Sequence, residues 1–304
     1  MKTKFLTFLV LLIGGTFFSQ AVFAAAASIG ISPVTFELTG RPGEAIENYL
    51  KVFNPSSDTI GVKMQIEDIA PTGEEGFVAV EPPETETYSL ASWIKTDPEE
   101  FELKPGEERQ VKFTLTIPEN AEPGGHYGTV LAGTKAIMGS GSTGAAIVQR
   151  IGALVLLIVP GEMKEGLIVK DFSAPIFSEY GPINFSVKFE NTGTVHLKPT
   201  GLITINNLLG RNSAVIPFPE RNVLPGGIRK IDVAWDKKLL WPGRYTAIIT
   251  GNYGLNNAQM LPTAITFWVF PWKICLAALL VLILLFLIRK RFIAAFKILI
   301  RGEK

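Results

Sequence analysis

PGEERQVKFTL, residues 105–115, followed by PGGHYGTVLAG, residues 123–133, is the stretch whose reading decides the fold. It has a second copy, PGGIRKIDVAW at 225–235 and PGRYTAIITG at 242–251. In both copies apolar alternation begins six residues after the first proline, at Val111 and at Ile231. The second Pro-Gly falls 18 residues on in one copy and 17 in the other, with Tyr127 or Tyr245 close behind. Alternation of period 2 buries one face of a strand and leaves the other to water. A Pro-Gly turn before each of two adjacent long strands is a device of shared topology. Upstream, FNPSSDTIGVKMQI from Phe53 and FENTGTVHLKPTGLITI from Phe189 occupy comparable places. One strand arrangement is therefore written twice in the chain.

Outward from this repeat, strand follows strand. Ile29 to Leu38 makes a short run broken at Pro33; Ile46 to Val52 and Ile60 to Ile66 alternate on either side of a turn at NPSSD. The run IGALVLLIV, 151–159, does not alternate, and nine residues are too few to cross a bilayer as a helix, so it reads as a central strand. In the second half, Ile183 to Phe189, Ile231 to Trp235, Tyr245 to Gly251 and Ala264 to Val269 complete a similar set. The expected fold is all-β, two tandem immunoglobulin-like β-sandwiches at 28–160 and 161–269, followed by one transmembrane helix.

The two ends place the chain at a membrane. From Ile274 to Ile288 fifteen residues in a row are apolar, with Trp268 and Trp272 before them as interface aromatics. Arg289, Lys290 and Arg291 follow, so the reading is a span at 270–288 and a basic cytoplasmic tail at 289–304. At the other end Lys2 and Lys4 precede an apolar stretch and small residues, the pattern of a signal peptide over 1–27. Cleavage is expected after Ala27, with Ala24 as the alternative. The expected location is the cell membrane, single-pass, with the N-terminal part extracellular.

The chain carries 29 basic and 28 acidic residues, but nine of the basic ones and one acid lie in 1–27 and 270–304. That leaves 20 basic against 27 acidic in the sandwiches, which argues against nucleic acid as a partner. The sole cysteine, Cys275, is inside the span, so the outer part is expected to rest on hydrophobic cores without disulfides. His126 and His196 fall in different sandwiches and read as structural; no G-x-S-x-G elbow occurs, and GSGSTG at 139–144 lacks the lysine of a phosphate loop. The expectation is a protein that is not an enzyme and uses no cofactor.

Thirteen acidic residues and two basic ones lie between Glu67 and Glu108. Solvated loops are one reading and a calcium site another, although no segment has the spacing of a dedicated calcium loop. These loops are the expected contact region, with Tyr88, Trp93, Glu99 and Glu100 as candidate binding residues. Trp93, in LASWI, reads either as a core or sheet-edge aromatic or as a platform for carbohydrate.

The ISPVTFEL opening, FNPSSDTIGVKMQI, SLASWI and FELKPGEERQVKFTLTIPENAEPGGHYGTVLA resemble the peptidoglycan-binding domain of WxL-interacting proteins, over about residues 28–160. The resemblance implies a membrane-anchored scaffold that holds wall polymer and partner surface proteins, built with a second sandwich, one span and a basic tail. The expected function is thus a non-catalytic cell-surface binding or scaffold protein for cell-wall polymer or surface proteins. The alternatives are a structural subunit of an envelope complex without glycan binding, and a hydrolase with a scattered site.

Overall fold

A computed structural model describes residues 28–81, 89–135 and 148–301. The signal-peptide reading at 1–27, Tyr88 and the GSGSTG tip lie outside the described residues. The fold is all-β, two immunoglobulin-like sandwiches in tandem, with a single long helix after them.

The first sandwich is built from β1 (Gly30–Ser32), β2 (Thr35–Thr39), β3 (Ala45–Phe53), β4 (Ile60–Thr72), β5 (Phe77–Glu81), β6 (Ile94–Asp97), β7 (Glu100–Leu103), β8 (Glu108–Thr116), β9 (Gly124–Thr134) and β10 (Arg150–Val159). One sheet runs β1-β3-β8-β6 and the other β2-β10-β9-β4-β5, with β7 also on β4. Their inner faces share a core in which Phe113 is fully buried and meets Phe36 edge-on at 4.9 Å. Each such side chain removed from water contributes about 1.5–3 kcal/mol.

The second sandwich comprises β11 (Leu167–Ser173), β12 (Phe177–Ser178), β13 (Ile183–Asn191), β14 (Thr200–Asn207), β15 (Asn212–Pro217), β16 (Ile228–Trp235), β17 (Gly243–Tyr253), β18 (Ala258–Gln259) and β19 (Thr263–Val269). Its sheets run β11-β13-β16 and β12-β19-β17-β14-β15, with β18 on β17. Phe185, Phe189, Phe267, Tyr245 and Trp235 pack its core.

The two repeat copies become β8 with β9 and β16 with β17. Each sandwich also opens in the same way, with its leading segment passing from one sheet to the other. β1 pairs antiparallel with β3 and β2 parallel with β10; β11 pairs antiparallel with β13 and β12 parallel with β19. Pro33, which has no N–H for a ladder, stands where the first crossing is made.

β10 explains the apolar run that does not alternate. Ala153, Val155, Leu157 and Val159 enter the first core, while Leu154 and Leu156 face the second sandwich. A strand covered on both faces has no side to give to water.

After β19 only Phe270 and Pro271 precede helix α1 (Trp272–Arg301). Its first 18 residues are long and apolar enough to cross a membrane, and none of that segment is buried. The helix continues without a break through Arg289.

Candidate functional site

The site is assembled where the sandwiches meet, and three sets of residues hold the junction. The first is apolar. Leu224, in the loop before β16, packs among Ile69 of β4, Tyr127 of β9 and Leu156 of β10, with Val78 and Leu154 at the edge.

The second set is the turn of the β4–β5 hairpin, whose sequence is Gly73-Glu74-Glu75-Gly76. It reaches across to β16, the edge strand of the three-stranded sheet. Lys230 N–H donates to the Glu74 carbonyl at 2.6 Å, and Arg229 Nη1 donates to the Gly76 carbonyl at 2.9 Å. Around this backbone pairing, Lys188 bonds Glu74 at 2.5 Å and Lys230 bonds Glu75 at 3.1 Å. The hydrogen bond from Lys188 holds the Glu74 carboxyl below its ordinary range and raises the lysine. Gly76 has φ +77°, and a Cβ there would run into the Arg229 guanidinium. Two of the acids that read from sequence as solvated loop or calcium ligands are thus bound to the second sandwich.

The third set is polar. Glu37 of β2 accepts from Lys198 Nζ at 2.7 Å and 2.8 Å and from Asn222 Nδ2 at 2.7 Å. The Lys198 hydrogen bond is the main reason its carboxyl titrates below the ordinary value. Nearby, Tyr127 Oη and His196 Nδ1 lie 3.4 Å apart with rings edge to face, and Gly125 N–H donates to the Thr194 carbonyl at 3.0 Å. Burial pushes the His196 pKa down to about 4, so the ring is neutral at pH 7.

The Glu37–Lys198–Asn222 group separates two clefts of about 280 Å³ each. The first is the better furnished. Phe77, Val78, Leu154, Leu156 and Leu224 give it apolar walls, and Arg221 and Arg229 bring positive charge. Among the described residues two buried side-chain atoms lack a hydrogen-bond partner, Asn222 Oδ1 and Arg229 Nε, and both residues line this cleft. One is an acceptor and the other a donor, and buried polar atoms ordinarily have partners. Burial, with Arg221 alongside, also holds the Arg229 pKa below its usual value. β5 flanks the cleft with exposed Phe77 and Val80; among the described residues its outer edge pairs with no further strand.

The residues singled out from sequence lie elsewhere and do not form one group. Trp93, in a 3₁₀ turn at Ala91–Trp93, is half-buried against the first core, its ring centroid 4.5 Å from that of His126. The turn is held by Asp68, a fully buried carboxylate that accepts from Ser89 Oγ at 2.7 Å and from Leu90 and Ala91 N–H at 2.8 Å. Glu99 and Glu100 are exposed. Glu100 pairs with Lys135 at 2.5 Å and Lys63 at 3.9 Å, beside the start of β4. Lys63 and Asp68 are five residues apart on that strand, so about 17 Å separates the two places. His126 bonds the Ser89 and Glu122 carbonyls at 3.2 Å and 3.0 Å. No group of three metal-ligating side chains occurs among the described residues.

No protein-family model matches the chain, and no curated protein matches its sequence. Several solved structures are similar. The class 5 fimbriae chaperone CfaA is 14% identical, with a TM-score of 0.39, over 80% of this chain and 100% of its own. The E. coli chaperone DraB is 10% identical, with a TM-score of 0.35, over 79% of this chain and 96% of its own. The Pseudomonas aeruginosa CupB2 chaperone is also 10% identical, at a TM-score of 0.35, over 79% of this chain and 100% of its own.

Proposed function

We propose that the chain is a membrane-anchored, non-catalytic binding protein of the cell surface that takes an extended segment of another surface protein into the first cleft. The observation that carries this reading is the pair Asn222 Oδ1 and Arg229 Nε, unpartnered among the described residues, in an apolar-walled cleft beside the edge of β5 that pairs with no described strand. An extended backbone offers N–H to the acceptor, C=O to the donor, and a ladder to the strand edge. Its side chains supply apolar surface for Phe77 and Leu224. The helix α1 holds the sandwiches at the membrane, with the basic residues from Arg289 on the cytoplasmic side.

The test is a photo-crosslinking residue at position 77 in the full-length chain, expressed in its own cells. A discrete adduct with one surface protein, lost on Arg229→Gln, is expected. Adducts that are diffuse, or unchanged by Arg229→Gln, would overturn the cleft as the site.

Cell-wall polymer is a second reading, and the resemblance of residues 28–160 to a peptidoglycan-binding domain supports it. It expects the full-length chain in detergent to co-sediment with insoluble cell wall, and a folded Trp93→Ala variant to lose that binding. Failure of the intact chain to sediment removes the polymer from the reading.

A further inference from the structure

The base of the second sandwich carries apolar side chains that neither core uses. Two loops meet there, residues 174–182 and 236–242, joined by Gly181 N–H donating to the Lys238 carbonyl at 3.1 Å. Ile176 is 81% exposed, Tyr180 62%, Leu239 84% and Trp241 82%. The backbone at Trp241 is held to the sandwich, where its carbonyl accepts from the buried Tyr245 hydroxyl at 2.8 Å. A soluble sandwich has no reason to present large apolar groups together at one end.

What covers them follows from where the chain goes next. β12, which lies within the first loop, pairs with the last two residues of β19, Trp268 and Val269. Trp268 and Phe270 N–H donate to the Ile176 and Ser178 carbonyls at 2.8 Å and 3.0 Å. Glu179, in the same loop, bonds Lys273 in the first turn of α1 at 3.0 Å. The loop is therefore fastened to the start of the helix from both sides, and the apolar run of that helix begins at Ile274. Two linking residues span at most about 7 Å. If α1 crosses a bilayer, Trp268 and Trp272 stand at its surface and these loops stand beside them. Lys237, Lys238 and Arg244, all exposed, add cations at the same end, suited to lipid phosphates.

We propose that the loops 174–182 and 236–242 dip Ile176, Tyr180, Leu239 and Trp241 into the outer leaflet, so that the second sandwich is docked on the bilayer. The docking rests on the anchor reading above and deepens it. It fixes the direction in which the first sandwich and its cleft are held, because the junction clamps the two sandwiches together.

The experiment places single nitroxides on the full-length chain in lipid nanodiscs, in a Cys275→Ser background, at positions 176, 239, 261 and 282. Leu239, Ile176 and Leu261 are exposed, so labelling leaves the cores intact. Accessibility to oxygen relative to a water-soluble nickel reagent reads depth. Positions 176 and 239 are expected to read as lipid-immersed at interfacial depth, 282 as deep, and 261, at the far end of the sandwich, as aqueous. Aqueous values at 176 and 239 with a deep 282 overturn the docking and leave the anchor standing. An aqueous 282 overturns the anchor and the docking with it. Spin–spin broadening at 239 that disappears on dilution with unlabelled chain would mean that a second copy covers the patch, and would also overturn it.

Discussion

Asn54 and Asn191 hold the same place in the two sandwiches and share one set of backbone bonds. Each is buried, stands at the end of a strand (just after β3, or as the last residue of β13), and donates through Nδ2 to two carbonyls, Asp58 and Leu103 in one case and Val195 and Val223 in the other. Each Oδ1 accepts the N–H two residues on, from Ser56 or Gly193. Each backbone closes on the Pro-Gly turn of its repeat, through Gly106 and Glu107 or through Gly226 and Gly227. The asparagine thus ties the turn after one strand to the turn before another, which is why both halves of the repeat recur together.

Replacing either asparagine by alanine leaves two carbonyls and one N–H without their partner. Partner loss at a buried group costs about 1–3 kcal/mol, so each substitution is expected to destabilise its own sandwich by about 3 kcal/mol. Hydrogen exchange checks this, with faster exchange in 28–160 for Asn54→Ala and in 161–269 for Asn191→Ala. A loss under about 1 kcal/mol at either site would show that water replaces the side chain there.

At the junction, geometry outweighs charge. The Glu74–Lys188 and Glu75–Lys230 pairs join exposed glutamates to half-buried lysines at the surface, and surface pairs contribute about 0–1 kcal/mol. Glu74→Gln and Glu75→Gln are therefore expected to leave the angle between the sandwiches almost unchanged. Gly76→Ala puts a Cβ on a positive-φ residue and displaces the Arg229 side chain, which breaks its bond to the Gly76 carbonyl as well. Distances between spin labels on the two sandwiches should broaden for Gly76→Ala and stay narrow for the glutamine variants. The reverse order would make the ion pairs the clamp.

The fold was legible because each sandwich is local in its signals. Val111, Phe113 and Leu115 alternate and are all fully buried; Ile231 and Val233 alternate and are buried in the second copy. Phe113→Ala is accordingly expected to cost about 3–5 kcal/mol in chemical denaturation. A loss below about 1 kcal/mol would mean that the strand presents its other face. The cleft was not legible, since it draws on Glu37, Phe77, Leu154, Lys198, Asn222 and Arg229, residues spread over most of both sandwiches. A signal did exist. An acidic turn in the first half and Lys188, Arg229 and Lys230 in the second have opposite charge, but only the fold brings them together. Trp93 drew notice by its residue type, which does not tell a half-buried ring from a free one.

The orientation of α1 is open to a direct check. With the N-terminal part outside and Arg289 onward inside, protease added to intact cells or spheroplasts should digest the sandwiches and spare a C-terminal tag. Loss of the tag with intact sandwiches would reverse the orientation.

Acid is expected to act at the junction through His196. Its pKa when folded is about 4, against an ordinary 6.5, and burial is the main cause, with Glu37 opposing it and Lys198 adding to it. Above pH 6.5 the ring is neutral in both folded and unfolded chains and stability does not depend on it. Between pH 6.5 and 4 the unfolded chain binds the extra proton, so stability falls as pH falls. The full effect of that shift is about 3 kcal/mol at most. Glu37 acts in a separate window. Its folded pKa lies below the ordinary 4.5, so its contribution is present above 4.5 and disappears only as pH falls through the lowered value. Thermal unfolding of the full-length chain across pH 7 to 3 separates the two groups. His196→Gln, which keeps a polar partner for Tyr127, should flatten the slope between 6.5 and 4. Glu37→Gln should alter the curve below 4.5 and reduce stability at neutral pH, where Lys198 loses its carboxylate. An unchanged slope in His196→Gln would mean that another group carries the acid sensitivity.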